Sequence, residues 1–431
     1  MPTFAPPSAA PLLAACPHCD ALQQLPPLTH GQSALCVRCA TPLYHGSTYA
    51  PLLPVALVLT GLLLFVIANS HPLLYLELAG RMQASTLLEG VSALFQSGLW
   101  LMALLVLFTS LLAPLLVLLA LLCLLWPVLR QRSPSHAAAP LMRALHHLSP
   151  WSMSGVYTLG LVIAIVKLRD LAFVSPGIAL YAYFGMLLAT TAAHRTIDAH
   201  TLRRMLTLPN SHTPLPRLTP ASKPLPPTAH QAGLLRCACC TLLLRAPTES
   251  HFQPACPHCG SRLHARKPGS LALTWALMLT AALLYLPANL LPIMTVIRFG
   301  QGDPDTILSG IQHLIENGLW PLALLIFYAS IVVPLMKLII LTFLLLSIRR
   351  RSPWRPKERT TLYRLIEAFG HWSMVDIFLI SILTAIVQLG TLSTIEPGTG
   401  ATFFGLVVIS TMLATHCFDP RLIWDALEQH A

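Results

Sequence analysis

The chain has 431 residues and a formal net charge of +11, yet only 10% of its residues are charged and 55% are hydrophobic. Typical globular domains carry about 25% charged residues. Because so few charges cannot cover a soluble surface, the composition excludes an ordinary soluble enzyme and favours a polytopic membrane protein. No GxxxxGK[ST] pattern occurs in the sequence, which argues against a P-loop NTPase.

Eight runs without an acidic or basic residue are near or above the length of a membrane span, which needs about 20 apolar residues. In chain order they cover residues 51–76, 90–129, 144–166, 171–194, 268–297, 317–336, 377–395 and 397–418. We therefore predict an α-helical polytopic membrane protein with eight transmembrane helices. Because run 90–129 is unusually long, we predict an interfacial or re-entrant helix near 87–96, then one long helix from about 98 to 127.

Most of the 27 lysines and arginines lie near the N-terminus or in segments 130–143, 195–267 and 349–364. Cytoplasmic loops of membrane proteins are enriched in these residues. We therefore expect both termini and the central segment to lie in the cytoplasm. We interpret the basic segments as topology signals, and we expect no nucleic-acid partner.

The chain contains one unit twice. A shift of 220 or 221 positions aligns Gly98-Leu99-Trp100 with Gly318-Leu319-Trp320 and Trp151-Ser152-Met153 with Trp372-Ser373-Met374. Each unit is a cysteine module followed by four helices, and an even number of spans gives a parallel repeat with its pseudo-two-fold axis along the membrane normal. The expected segments are a first zinc-ribbon module (1–48), a first four-helix repeat (49–200), a Pro-rich linker (201–232), a second zinc-ribbon module (233–267) and a second four-helix repeat (268–431).

Eight of the eleven cysteines form two sets of paired CxxC knuckles, with 15 or 16 residues between the knuckles. The two sets are Cys16, Cys19, Cys36 and Cys39, and then Cys237, Cys240, Cys256 and Cys259. Four thiolates at this spacing suit tetrahedral Zn²⁺, so we predict two structural four-cysteine zinc sites in cytoplasmic modules. A rubredoxin-like iron site uses the same ligands. Disulfides are the third alternative, which a reducing cytoplasm disfavours.

Ionisable residues inside membrane-spanning helices are costly and are functional candidates by default. Ser330 and Lys337 are seven residues apart, and Ser373 and Asp376 are three apart, so each pair shares a helix face. Neighbouring helices could then pair Lys337 with Asp376. The remaining members of the candidate polar network are Lys167, Asp170, Thr384 and Gln388.

The two repeats differ in these charges. The first repeat has Val117 where the second has Lys337, and Gly155 where the second has Asp376. A transport path can need such asymmetry, whereas a pure scaffold does not. The alternative interpretation is a buried ion pair that only fixes the register of two helices.

The duplicated cysteine modules, the four helices after each, the Trp-Ser-Met motifs and the segment Pro334-Leu335-Met336-Lys337 resemble the paraquat-inducible protein A family, from about Cys16 to Asp425. The resemblance implies a non-enzymatic protein of the bacterial inner membrane. It also implies an MCE-family partner, whose periplasmic tunnel carries phospholipid, and a polar network that couples proton movement to lipid movement. A membrane redox protein with four-cysteine iron sites and a passive anchor for the MCE partner are the alternatives.

Overall fold

The computed structural model describes residues 12–25, 32–45, 52–78, 81–130, 137–168, 173–197, 202, 228–246, 255–298, 301–386 and 393–428. The described chain is mostly helical, and the same succession of membrane helices and short strands follows each cysteine module. Two residues of the candidate polar network, Asp170 and Gln388, lie outside the described residues.

The first repeat opens with two β-hairpins that frame the CxxC knuckles, and helices and short strands follow. Its elements are β1 (Leu12–Ala15), β2 (Leu22–Leu25), β3 (Ser33–Leu35), β4 (Pro42–His45), α1 (Leu52–Ser70), β5 (Leu74–Leu78), β6 (Arg81–Ser85), α2 (Leu87–Gln96), α3 (Trp100–Leu129), α4 (Ala138–Leu148), α5 (Ser154–Leu168), β7 (Phe173–Pro176) and α6 (Ile178–Thr196).

In the second repeat the second CxxC knuckle lies beside a single bridge, Ala255 to Arg262, in place of a hairpin, and the repeat ends with an extra short helix. Its elements are β8 (Leu234–Arg236), β9 (Leu243–Arg245), α7 (Ser270–Leu290), β10 (Met294–Arg298), β11 (Gln301–Asp305), α8 (Ile307–Glu316), α9 (Trp320–Arg349), α10 (Pro356–Phe369), α11 (Val375–Ile386), β12 (Ser393–Pro397), α12 (Thr399–Cys417) and α13 (Leu422–Glu428).

Within the described ranges, seven helical segments are long and apolar enough to cross a membrane by length and composition. They are α1, α3, α4 together with α5, α7, α9, α10 together with α11, and α12. The remaining predicted span, residues 171–194, corresponds to α6, a helix of 19 residues that also contains Thr, Tyr and His side chains. Helix α6 packs along α1 as α12 packs along α7, so it holds the place of a span in the first repeat.

The third span of each repeat is interrupted at its Trp-Ser-Met motif, which the charge-free runs did not predict. A 3-10 turn, Ser149–Trp151, separates α4 from α5, and another, Gly370–Met374, separates α10 from α11. The long helices α3 and α9 each contain a π-helical segment, Leu107–Leu112 and Tyr328–Val332. Such segments free backbone carbonyl groups inside a helix. The irregular backbone therefore recurs at equivalent places in both repeats.

Two three-stranded antiparallel sheets, β6-β5-β7 and β11-β10-β12, lie at one end of the helices. Helix α1 runs from the first cysteine module to β5, so the sheets and the modules lie at opposite ends. We call these ends the sheet side and the module side. Gly177 and Gly398 follow β7 and β12, and a Cβ at either residue would collide with the carbonyl oxygen of Pro72 or Pro292. Glycine is therefore needed where each sheet meets its last helix.

Helix α11 joins the repeats, because every one of its residues is buried and it packs on both α2 and α5 of the first repeat. Gly90 of α2 lies against Ser381, where a Cβ would be 2.9 Å from the serine Oγ, and Gly160 of α5 lies 3.2 Å from the Phe378 Cβ by the same measure. The contact is not symmetric. No described atom lies within 4 Å of a Cβ built on Gly310, the equivalent of Gly90 in α8.

The cysteine modules are exchanged between the repeats. The cysteines of the first module share a buried cluster with Tyr363 of α10 and Trp424 of α13, both in the second repeat. The cysteines of the second module share a cluster with Val117 of α3 and Met142 of α4, both in the first repeat. A bridge between Ala21 and Thr228 joins the modules directly. The helices of each repeat therefore pack against the cysteine module of the other repeat.

Candidate polar site and metal centres

Lys337 is fully buried in α9 and donates hydrogen bonds from Nζ to three oxygens. These are the Gly370 carbonyl oxygen at 2.6 Å, the Ser373 Oγ at 2.9 Å and the Thr411 Oγ1 at 3.5 Å. The Gly370 carbonyl is available because α10 ends there, and the last carbonyls of a helix have no intrahelical donor. The interruption between α10 and α11 thus supplies the strongest acceptor for the lysine.

Asp376 lies in the first turn of α11 and is 5% exposed. Both residues are described, yet no ion pair joins Asp376 to Lys337, so the pairing expected from the sequence does not form. The carboxylate interacts instead with Ser330 of the π-helical segment and lies within Coulombic range of Lys167. Its Oδ2 atom has no hydrogen-bond partner among the described residues. The site therefore holds a lysine without a carboxylate and a carboxylate that is only partly satisfied.

Lys167 lies near the sheet-side end of α5, within Coulombic range of both Asp376 and Asp305. It brings a charge of the first repeat towards the carboxylate of the second. Thr384 is 1% exposed in α11, and its Oγ1 has no hydrogen-bond partner in the described part of the chain. The structure thus places Ser330 near Asp376, with Lys167 in Coulombic range but not in an ion pair, and it places Lys337 and Ser373 in a separate cluster.

The first repeat has an apolar counterpart of the lysine cluster. Val117 replaces Lys337 and is fully buried. Tyr183 of α6 donates a hydrogen bond at 3.4 Å to the Ser110 carbonyl oxygen in the π-helical segment of α3. The Tyr157 ring lies 5.2 Å from the Tyr183 ring and 5.3 Å from the Phe378 ring, measured between centroids. Aromatic packing therefore replaces buried charge in this repeat.

Sequence reasoning missed two partners of Lys337, the Thr411 hydroxyl and the Gly370 carbonyl. Thr411 had a signal, because Thr190 lies 221 positions earlier and is the matching hydroxyl in an apolar helix of the first repeat. A backbone carbonyl has no sequence signal of its own. It becomes available only because the helix stops at Gly370.

Each CxxC knuckle has the same backbone turn. The residue after the second cysteine has a left-handed φ of 58° at Asp20, 57° at Ala40, 59° at Thr241 and 69° at Gly260. Its amide donates to the carbonyl of the first cysteine, as in Asp20 N to Cys16 O at 3.1 Å. Three of the four residues accept this conformation without being glycine, which costs about 1 kcal/mol each. The turn is what points both thiols of a knuckle the same way.

The four thiols of each module converge on one point. The Sγ atoms of Cys16 and Cys39 are 3.4 Å apart, and those of Cys19 and Cys36 are 3.5 Å apart. In the second module the distances are 3.5 Å for Cys237–Cys259 and 3.6 Å for Cys240–Cys256. All of these cysteines are buried and free. A tetrahedral ion with Zn–S bonds of about 2.3 Å separates its ligands by about 3.8 Å, so both clusters fit a metal ion.

The titration of the thiols points the same way. Hydrogen bonds from Cys16 and Cys19 lower the pKa of Cys36 to about 6, whereas those from Cys16 and Cys36 raise the pKa of the Cys19 thiol above its ordinary value. Hydrogen bonds from Cys240 and Cys256 likewise lower the pKa of Cys237 to about 6. Neighbouring thiolates repel one another unless a cation lies between them. The donor set is therefore suited to a cation.

Together, the fold and these clusters define a polytopic membrane protein built from a duplicated unit with two metal-binding modules of four cysteines each. The sequence profile described as "Paraquat-inducible protein A" matches residues 53–206 and 271–428. The chain belongs to this family, and the resemblance found in the sequence is confirmed.

Relatives match almost the whole chain. The chain is 35% identical over 412 residues to the intermembrane transport protein PqiA of Escherichia coli (strain K12), which covers 95% of both chains. It is 32% identical over 413 residues to the lipophilic envelope-spanning tunnel protein A of the same strain, which covers 96% of this chain and 91% of the relative. A probable intermembrane transport protein of Haemophilus influenzae is 27% identical over 417 residues. No solved structure matches the chain.

Proposed function

We propose that the protein is the inner-membrane subunit of a lipid-transport system. It loads phospholipid into, or extracts it from, a periplasm-spanning tunnel formed by an MCE-family partner, and so supports envelope integrity. The names of two relatives refer to intermembrane transport and to an envelope-spanning tunnel. The abundance of Lys and Arg near the modules supports a cytoplasmic module side. The sheet side then faces the periplasm and the partner.

The buried and mutually unpaired charges of Lys337 and Asp376 carry this proposal. A charged group inside a membrane protein costs several kcal/mol unless it is paired. An anchor that used these residues to fix helix register would join them in an ion pair, yet each has separate partners. A lysine surrounded by hydroxyls can exchange protons or meet a phosphate group. Transport gives the charges a use that a passive scaffold lacks.

Replacement of Lys337 tests the proposal directly. We expect Lys337→Ala to abolish growth in a membrane-integrity complementation assay, because no other described amine lies among Gly370, Ser373 and Thr411. Val117→Ala is the matched control, since it shortens the equivalent side chain of the first repeat without removing a charge. The abundance of each variant in the membrane, measured by immunoblot, must equal that of the wild type. Full complementation by Lys337→Ala would refute the role and favour the anchor.

We further propose that both four-cysteine sites hold Zn²⁺ and that the metal has a structural role. Zinc would be held by Cys16, Cys19, Cys36 and Cys39 in one module and by Cys237, Cys240, Cys256 and Cys259 in the other, and it would cross-link hairpins too small to form a core. Elemental analysis of the purified protein should give about two zinc atoms per chain, and Cys256→Ser should lower this to about one. Two iron atoms and a visible absorption band would instead favour the redox alternative.

A further inference from the structure

A cavity of about 790 Å³ lies on the module side, between the two cysteine modules and the ends of the membrane helices. The first module contributes Pro17 and His18, and the second contributes Arg236 and Arg262 among others. The helices contribute an apolar floor that includes Leu145 of α4. We call this cavity the module chamber. The polar network around Lys337 and Asp376 is not part of it.

The lining of the module chamber contains more cationic side chains than carboxylates. Four cationic side chains face two carboxylates, and six histidines add nitrogen donors. The cationic residues are Arg236, Arg262, Lys267 and Arg421, the carboxylates are Glu367 and Asp419, and the histidines are His18, His146, His147, His194, His264 and His416. A concave surface with an excess of one sign of charge attracts ions of the other sign.

Only one of the cations is neutralised by a carboxylate of the chamber. Arg421 donates to Asp419 from Nε at 2.9 Å and from Nη2 at 2.8 Å, and the Lys267 backbone amide occupies the same carboxylate at 2.9 Å. Lys267 uses its Nζ on the carbonyl oxygens of His416, at 2.5 Å, and Phe418, at 3.0 Å. Its ammonium group therefore forms no direct ion pair with a carboxylate of the described residues. Glu367 is half exposed, and one of its carboxylate oxygens lies 3.8 Å from the His18 Nε2.

Arg236 and Arg262 are the two remaining cations of the chamber. Neither guanidinium forms a hydrogen bond or an ion pair with the described residues, although Arg236 is half-buried beside the second metal site. A guanidinium presents five donors in a planar fork that matches the oxygens of a phosphate. Two guanidinium groups that line one cavity without a hydrogen-bond partner among the described residues are suited to a phosphate group. The apolar floor of the cavity, which includes Leu121, Leu145 and Trp151, is suited to the hydrocarbon of an amphiphile.

We propose that the module chamber binds a phosphate-bearing anion through Arg236 and Arg262, with the two cysteine modules forming its roof. The phosphate belongs to the headgroup of an anionic phospholipid or to free phosphate. This site gives the modules a role in ligand binding besides folding. It does not depend on the proposed transport function, because binding is measured without any transport step.

Isothermal titration calorimetry on the full-length protein in detergent tests the site with water-soluble ligands. The probes are dihexanoyl phosphatidylglycerol, dihexanoyl phosphatidylcholine and inorganic phosphate. We expect phosphatidylglycerol to bind at one site per chain and phosphatidylcholine, which has no net charge, to bind more weakly. Equal affinity for inorganic phosphate and phosphatidylglycerol would identify free phosphate as the ligand. Tighter binding of phosphatidylglycerol would identify the lipid headgroup, because the apolar floor then contributes.

Substitutions assign the binding to the chamber. Arg236→Gln and Arg262→Gln should each weaken binding about tenfold, since each removes charge-assisted hydrogen bonds. Arg245→Gln is the matched control, because Arg245 is an exposed arginine of the same module that does not line the chamber. Metal content shows that each variant keeps its module, and Arg262→Gln is informative by itself if Arg236→Gln does not fold. The proposal is overturned if no anion binds, or if Arg262→Gln and Arg245→Gln bind as the wild type does.

Discussion

The position of the buried Lys337 amine depends on which backbone carbonyl oxygens can accept a hydrogen bond from it. The sequence showed that Lys337 and Asp376 lie in apolar helices on faces that contain Ser330 and Ser373. It did not show their partners, because the strongest acceptor for the lysine is the Gly370 carbonyl at 2.6 Å. That oxygen exists as an acceptor only where α10 stops. The residues could be predicted from the sequence, but their contacts depend on tertiary structure.

Thr411 and Thr190 provide a matched test at this scale. Thr411 contacts the Lys337 amine, whereas the equivalent Thr190 donates only to the Met186 carbonyl of its own helix, at 2.7 Å. We expect Thr411→Val to lower the free energy of unfolding by about 1–2 kcal/mol, the cost of one hydrogen bond to a charged group, and to reduce complementation. Thr190→Val should change both by much less. Thermal unfolding in detergent measures the first effect, and equal losses in the two variants would contradict the assignment.

Helices and strands were predictable to different degrees. The length of the charge-free run predicted a short helix near 87–96 before a long one, and the structure forms α2 and α3 there. The strands β5, β6 and β7 were not predicted, because strands of four or five residues between spans leave no clear periodic pattern. The turn at Gly370–Met374 was hidden for a similar reason. The apolar segment that comprises α10 and α11 continues through this turn, although the α-helical hydrogen bonding stops there.

The asymmetric contact of α2 and α8 leads to a prediction about these elements. Gly90 faces Ser381, with a Cβ at 2.9 Å from its Oγ and 3.3 Å from its carbonyl oxygen, whereas Gly310 faces open space. Gly90→Val should therefore overpack the joint between the repeats and destabilise the protein by about 1–3 kcal/mol. Gly310→Val should be tolerated, since both glycines are helical and share the same change in helix propensity. The two variants are compared as fluorescent fusions, by the fraction of the monodisperse size-exclusion peak that remains after heating. A larger loss of this peak for Gly310→Val than for Gly90→Val would refute the asymmetry.

The exchange of cysteine modules determines how the whole molecule holds together. A CxxC spacing predicts a metal-binding hairpin, but it says nothing about the surface on which the hairpin lies. Chain order suggested that each module belongs to the helices that follow it. In the structure Cys239 donates to the Met142 carbonyl at 3.5 Å, and Arg38 lies 4.4 Å over the Trp424 ring. The partner of a module is decided by long-range packing, which one sequence does not reveal.

This exchange predicts crossed effects when one metal site is lost. Cys240→Ser should increase hydrogen exchange in α4 of the first repeat, because α4 packs on the second module. Cys19→Ser should increase exchange in α10 of the second repeat, which packs on the first module. Hydrogen–deuterium exchange mass spectrometry resolves the two helices. Loosening of the helices that directly follow the altered module would contradict the exchange.

The exchange also affects the order in which the protein can fold during synthesis. The first module is synthesised well before Tyr363 and Trp424, the residues of the second repeat that share its buried cluster. Until then its apolar surface has no cover from its final partners. The first module is therefore made early but reaches its final packing only after α10 and α13 have been synthesised.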